Sequence, residues 1–424
     1  MKITTSTLSL AVGLAMFVTI IASASQYEGN FQPSPNGQFV VSVVKNELSI
    51  PIPPEGIELN ASVAVRIRDA KGKEVFSVPV AKGRKSYETG YGYVSTDWSP
   101  NSQMLAFCNQ GSLSVVAIGD QKPHKLLQSV SSFRWIGISN LCCVTGPLED
   151  DGLFSVTEIA ANGGTGKPRP VNLKAHAFHP WVSEHHNQLS SDSRNAVFID
   201  GTQILVSNLH ETNSQHVVHR KLTSSFCWWI DSSDRCLVHG LEEVKTTKPF
   251  PEDTTFRDVI YLYETNDASF TDLTDYLRKL NSDPNFSAPR PMAEDRVWSP
   301  QGKWFLVSGV VKGSSGPDSR DWICVPKPWS SICVQEILGK NFHHPKVAPS
   351  GSKVAVISAP NEYSPSGDLY LIEIKAEAKD KPVLEKPLKI ASSVPNSWFW
   401  SADGRELIVW NGRNFTHHPI PTQP

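Results

Sequence analysis

The sequence predicts an all-β fold built from one repeated four-strand unit, and three observations carry that prediction. A Trp-Ser-Pro-x-Gly-like turn recurs eight times, most clearly at Trp98-Ser99-Pro100-Asn101-Ser102, Trp298-Ser299-Pro300-Gln301-Gly302 and Trp400-Ser401-Ala402-Asp403-Gly404. An apolar, β-rich run follows each turn, such as Met104-Leu105-Ala106-Phe107, Phe305-Leu306-Val307 and Leu407-Ile408-Val409. Proline (31) and glycine (27) are plentiful, as short strands joined by turns require. A unit repeating every ~40 residues or more marks stacked sheets, and a closed ring of such sheets is a β-propeller.

Aligned on the tryptophan position, the copies fall at Pro33, Trp98, Trp135, Leu189, Trp229, Trp298, Val347 and Trp400. The spacing exceeds the minimum for four strands in most copies, so loops are inserted. The turn chemistry is physical. Proline presets φ at the first turn position, and Gly, Asn or Asp tolerates the position after it. Continuous apolar runs fit strands buried on both faces, as strands between neighbouring blades are. The copies at Trp135 and Trp229 lack the proline but keep the tryptophan and the following strand. Third strands are visible at residues 63–68, 113–116, 259–263 and 368–374. Eight copies imply seven or eight blades. The Asn411-Gly412 turn starts one more strand near the C-terminus. A segment around Gln26 to Phe31 is expected to complete that last blade and close the ring.

The hairpins Trp98 to Phe107, Trp298 to Val307 and Trp400 to Val409 resemble those of the TolB-like, or WD-like, β-propeller repeat family. The resemblance spans roughly residues 30 to 415. It implies the propeller fold and says little of function. The N-terminal α/β domain of TolB itself has no counterpart, because the first repeat begins just after the leader described next.

Residues 1–24 read as a signal peptide. Lys2 is followed by a mostly apolar run from Leu8 to Ile21, and Ala22-Ser23-Ala24 is a small-x-small cleavage site. The run falls short of the ~20 residues that span a bilayer. The expectation is a mature propeller domain over 25–424, periplasmic or secreted, with no transmembrane anchor after cleavage. The chain carries 40 basic and 42 acidic residues, net −2. Without a basic excess or a long charge run, nucleic acid is not an expected partner.

Two insertions interrupt the repeat. Leu241 to Arg296 includes an expected helix over Thr271 to Leu280, capped by Thr271, with Leu273, Tyr276, Leu277 and Leu280 on one face. Ile50 to Leu59, with Pro51, Pro53 and Pro54, reads as an extended loop. Seven cysteines in an exported chain suggest disulfides. Cys227 and Cys236 are equidistant from Asp231-Ser232 and should face each other across a hairpin. Cys324 and Cys333 are likewise centred on Pro328-Trp329. Cys108 with Cys142 or Cys143 is a further pairing between blades. No CxxC spacing marks a redox or zinc site.

Thirteen histidines include the doublets His185-His186, His343-His344 and His417-His418. Neighbours on a strand point to opposite faces, so each doublet offers one ligand per site, and surface or turn positions are expected. No G-x-S-x-G elbow, H-E-x-x-H or dinucleotide fingerprint occurs. Gly163-Gly164-Thr165-Gly166-Lys167-Pro168 fails as a phosphate loop because Pro168 stands where Ser or Thr should hold magnesium. Asn60, Asn285 and Asn414 head glycosylation sequons. The residues therefore favour a non-enzymatic scaffold that binds a protein or small ligand at the propeller face, with no cofactor. A metal-dependent hydrolase or lactonase in the central channel is the alternative. Its candidate residues are Glu149, Asp150, Asp151, His179, His185, Asp231, Glu294 and Asp295. A structural subunit of an envelope assembly is a third reading.

Overall fold

The computed structural model describes residues 23–421, apart from 51–56, 84–93, 147–152, 165–168, 175–188, 200–202, 210–214, 220–221, 231–233, 246–253, 280–289, 292–296, 314–315, 327–328, 361–363, 376–381 and residues 340, 350, 352 and 396. These residues form eight antiparallel sheets in chain order, as the eight copies of the turn require. Sheet one holds Ser23–Pro33, Phe39–Ile50, Ile57–Asp69 and Glu74–Gly83. Sheet eight holds Trp398–Trp400, Glu406–Trp410 and Phe415–Pro419. Consecutive strands are neighbours and the sheets are meanders, except that in the seventh sheet Ser366–Lys375 pairs with both Val383–Leu384 and Leu388–Pro395. Eight apolar cores alternate with the eight sheets, the last joining sheet eight to sheet one. This is the closed arrangement of a β-propeller.

The register is nearly constant. The residue at the tryptophan position pairs with the residue seven further on: Pro33 with Val40, Trp98 with Leu105, Leu189 with Ala196, Trp229 with Cys236, Trp298 with Phe305, Val347 with Val354 and Trp400 with Leu407. Trp135 is the exception and pairs with Leu141, six further on, because its turn is one residue shorter. The serine of the motif closes the turn. Its hydroxyl accepts from the N–H five residues on, at 3.0 Å for Ser34, 2.9 Å for Ser99 and Ser401, and 3.1 Å for Ser299. Three residues after the serine the backbone is left-handed, at φ +70° for Gly37 and +68° for Gly404. Ser102 and Ser193 take the same conformation at +62° and +56°, which costs a non-glycine residue about 1 kcal/mol or more. Ser102 gains an offsetting contact, since its hydroxyl accepts the N–H of Asn36 from the turn of sheet one at 3.0 Å.

Tryptophan links one sheet to the one before it. The indole N–H donates to a backbone carbonyl of the preceding sheet: Trp98 to Gln32 at 3.1 Å, Trp135 to Asp97 at 2.9 Å, Trp298 to Trp228 at 3.0 Å and Trp400 to Lys346 at 3.0 Å. Each acceptor is the residue just before the tryptophan position of its own sheet. The ring packs on the second and third strands of that preceding sheet. Trp98 lies with Phe39, Val41, Val65 and Ile67, and Trp400 with Ala355, Ile357, Leu369 and Leu371. The buried ring supplies apolar area, while its polar edge finds a partner. Where Val347 replaces the tryptophan, Trp304 of the preceding sheet fills the same core.

Ring closure differs from the expectation. The segment around Gln26 to Phe31 does not complete the last sheet. It pairs with Phe39–Ile50, with Tyr27 opposite Lys45 and Gly29 opposite Val43. The reason is local: Ser34 N–H donates to Phe39 O at 2.8 Å, and this tight turn folds the chain straight back. Closure is made by side chains instead. Phe31 stacks on Phe399 with ring centres 5.4 Å apart, and the Arg68 guanidinium lies 4.4 Å from the ring centre of Trp410. Arg68 is held by Glu28, which also accepts from Ser42 at 2.5 Å.

The insertions are shorter than expected. Thr271 lies in the strand Ser269–Asp272, opposite Leu262, and the helix runs over Thr274–Lys279. Asp272 rather than Thr271 meets its first N–H, accepting from Thr274 at 2.9 Å. Leu273 and Tyr276 pack into the core between sheets five and six, so this face is covered by the propeller. A second helix, Val334–Leu338, ends at Gly339 with φ +106°. Ile50 and Ile57 to Leu59 belong to strands, which narrows the expected first loop to residues 51–56. Among the described residues no helix is long and apolar enough to cross a membrane.

Removing one indole N–H while keeping a ring tests the link between sheets. Trp135→Phe is expected to destabilise by about 1 kcal/mol, the worth of one buried hydrogen bond. Trp135→Ala should cost about 3–5 kcal/mol through the void it leaves. Urea unfolding midpoints read both; an unchanged midpoint for the phenylalanine variant would show that the indole bond contributes nothing.

Candidate functional site

The junction of sheets eight and one lacks the tryptophan that seals other junctions, because Pro33 occupies its position. A cavity of about 320 Å³ opens there. Pro33, Val40, Ile408 and Phe415 give it an apolar floor. The turns Ser34 to Gly37 and Ser401 to Gly404 flank its mouth, which carries Asp403, Arg405, Glu406 and His417.

The local sequence explains each wall. Elsewhere the turns of neighbouring sheets touch: Ser191 Oγ donates to Ile230 O at 3.1 Å, and Arg235 Nη1 donates to Gly302 O at 3.0 Å. Glu406 occupies the turn-end position that Phe39 holds in sheet one. It is drawn sideways to His417, whose Nδ1 lies 2.8 Å from its carboxylate. The other ring nitrogen of His417 lies 3.2 Å from Ala70 O, which ties sheet eight to sheet one. Asp403 accepts from the Ser401 hydroxyl at 2.7 Å and from Arg405 N–H at 3.0 Å. These bonds, the first above all, hold its carboxyl below the usual carboxylate range. The site thus offers an apolar hollow with both signs of charge at its rim. That arrangement suits binding, since small-ligand pockets of about 300 Å³ or more combine apolar walls with a few polar groups.

Glu149, Asp150, Asp151, His179, His185, Asp231, Glu294 and Asp295 all lie outside the described residues, as does His186. Among the described residues, no group of three or more His, Cys, Asp or Glu side chains could hold a metal ion. His343 is buried in a strand, whereas His417 lies on the rim of the cavity. Its place on the rim follows from the repeat: His417 pairs with Ile408, as Ile67 pairs with Val41.

All seven cysteines are buried thiols in this structure. Cys227 lies opposite Val238 and Cys236 opposite Trp229, so the two are diagonal neighbours on one face, not directly opposed. Cys324 lies opposite Ser331 and Cys333 opposite Trp322, with the same offset. Each pair shares one core. Cys108 and Cys143 share the core between sheets two and three, while Cys142 faces the next one. Burial pushes the Cys108 thiol up to about 12 and raises Cys236 well above the ordinary range.

No family model matches the chain, and no curated protein does. Solved structures match at low identity. Sqt1 from Chaetomium thermophilum is 10% identical over 92% of this chain and 96% of that one, with a TM-score of 0.49. TolB from Acinetobacter baumannii is 12% identical over 78% of this chain and 79% of that one, at 0.31. The tricorn protease is 10% identical over 93% of this chain, at 0.43, and the match spans 42% of that chain, less than half its length. At such identities the likeness concerns the fold alone. The protein is a β-propeller with a hollow at its seam.

The depressed Asp403 carboxyl sets a pH dependence. A lowered folded value contributes stability that is present above the unfolded value near 4 and lost as pH falls through the folded one. Asp403→Ala is therefore expected to lower the melting temperature at pH 7 and to match the parent at pH 2. Paired melting curves at the two pH values check this, and a difference that persists in acid would contradict the assignment.

Proposed function

We propose that this chain is an exported, non-enzymatic propeller of the TolB-like kind that holds a protein or small ligand. The observation behind the reading is the seam hollow, a ready-formed concavity with an apolar floor and a charged rim. A preformed pocket lowers the ordering cost of holding a ligand. Export rests on residues 1–24, whose charged start, apolar run and small-residue site are those of a cleaved leader. Immobilised mature protein, offered an extract of the exported proteins of its source, should retain a partner that excess free protein competes away. Retention of nothing that competes would count against the scaffold.

Export carries a second consequence for the two cysteine pairs. We propose that Cys227 with Cys236, and Cys324 with Cys333, form bridges in an oxidising compartment. Each pair already shares one core and lies on adjacent strands. Alkylation of the exported protein after unfolding without reductant, followed by peptide mapping, should leave these four unlabelled. Full labelling of all four would rule the bridges out.

A further inference from the structure

We propose that the seam hollow is a receptor for an indole ring, the group that the chain itself supplies at most of its other sheet junctions. This rests on the scaffold reading and names the chemistry of its ligand.

The argument is one of repeated geometry. At the junction of sheets one and two, Trp98 sits in a nest of Phe39, Val41, Val65 and Ile67. Counting from the tryptophan position, and taking strand partners from the register, the matching residues of sheet eight are Glu406, Ile408, Phe415 and His417. All four line the hollow. The seam therefore keeps the nest's positions, with Ile408 and Phe415 also packed in one core with Phe31, but not its indole: Pro33 stands where Trp98, Trp135, Trp229, Trp298 and Trp400 stand elsewhere. Phe399 occupies the place of Gln32, Asp97, Trp228 and Lys346, whose carbonyls accept the indole N–H in the filled junctions.

Other junctions without a tryptophan at this position are filled from within. Trp304 fills the core around Val347, and Leu189 shares a fully buried core with Phe198. At the seam the residue matching Trp304 is Glu406, and its pairing with His417 holds it along the rim. A guest ring enters from outside, because Asp403, Arg405, Glu406 and His417 are all partly exposed. The guest comes either as a free indole-type small molecule or as the tryptophan side chain of a partner protein.

Calorimetric titration of the intact mature protein separates these. The probes are indole, N-acetyltryptophanamide, and N-acetylleucinamide as control. Saturable one-to-one binding is expected for an indole probe, at least tenfold tighter than for the control. Preference for free indole points to a small molecule, and preference for the amide points to a protein side chain. Pro33→Trp supplies the ring from within and should weaken probe binding at least tenfold. Glu406→Phe restores the platform that Phe39 gives Trp98 and should tighten binding severalfold, so it carries the test if the first variant does not fold. Absence of saturable binding, or binding unchanged in these variants, overturns the proposal. If neither probe binds while Pro33→Trp still captures a partner, the indole site is refuted and the scaffold reading stands.

Discussion

The ring depends on how one sheet grips the sheet before it. A propeller sheet cannot bury both faces alone, so its stability is set at the junctions. Here the grip has two parts with different tasks. The tryptophan ring fills the wedge between sheets, which is a matter of volume and apolar area. Its N–H reaches one particular carbonyl, which is a matter of register. A sheet slipped by one residue would turn that carbonyl away and send its side chains to the wrong face. The four such bonds thus fix rotation between neighbours as well as distance.

The serine of the turn makes that grip possible. By holding its own hairpin shut, Ser299 fixes where Trp298 leaves the strand, and Ser401 does so for Trp400. Where the chain gives up a tryptophan, it compensates with bulk from the other side, as Trp304 does for Val347. The seam departs from this pattern twice, in Pro33 and in Glu406. Loss of a ring on one side and a charge on the other leaves volume that no side chain fills. Closure there relies on Phe31, Arg68 and Trp410, beside the hollow.

Most of the architecture was legible because the turn residues and the apolar runs obey short-range rules. All eight first-to-second strand hairpins fell where the Pro33 to Trp400 series put them. The order of strands within a sheet followed from the same unit. Four things were not legible. Which sheet the N-terminal segment joins depends on whether the Ser34 turn closes, and its bonding decides this against the pattern of exchange between chain ends. The helix Val334–Leu338 is too short to show a periodicity, and only Gly339 punctuates it. The hollow was hidden for a different reason. Pro33 was visible as a departure from tryptophan, but its meaning depends on Glu406 and His417, which lie at the other end of the chain. The diagonal offset of Cys227 and Cys236 also escaped a count from the hairpin centre, because the true centre lies one residue later.

Each sheet here is one uninterrupted stretch of chain, and among the described residues no backbone ladder joins the first sheet to the last. This bears on folding during synthesis. A ring stitched by strand exchange must hold one sheet unfinished until both termini have emerged. In this chain every sheet can complete itself as soon as its own residues appear, and each new one finds a finished neighbour to dock on. The last act is the meeting of two already formed sheets, a docking step that leaves no exposed half-made sheet waiting for the far end of the chain.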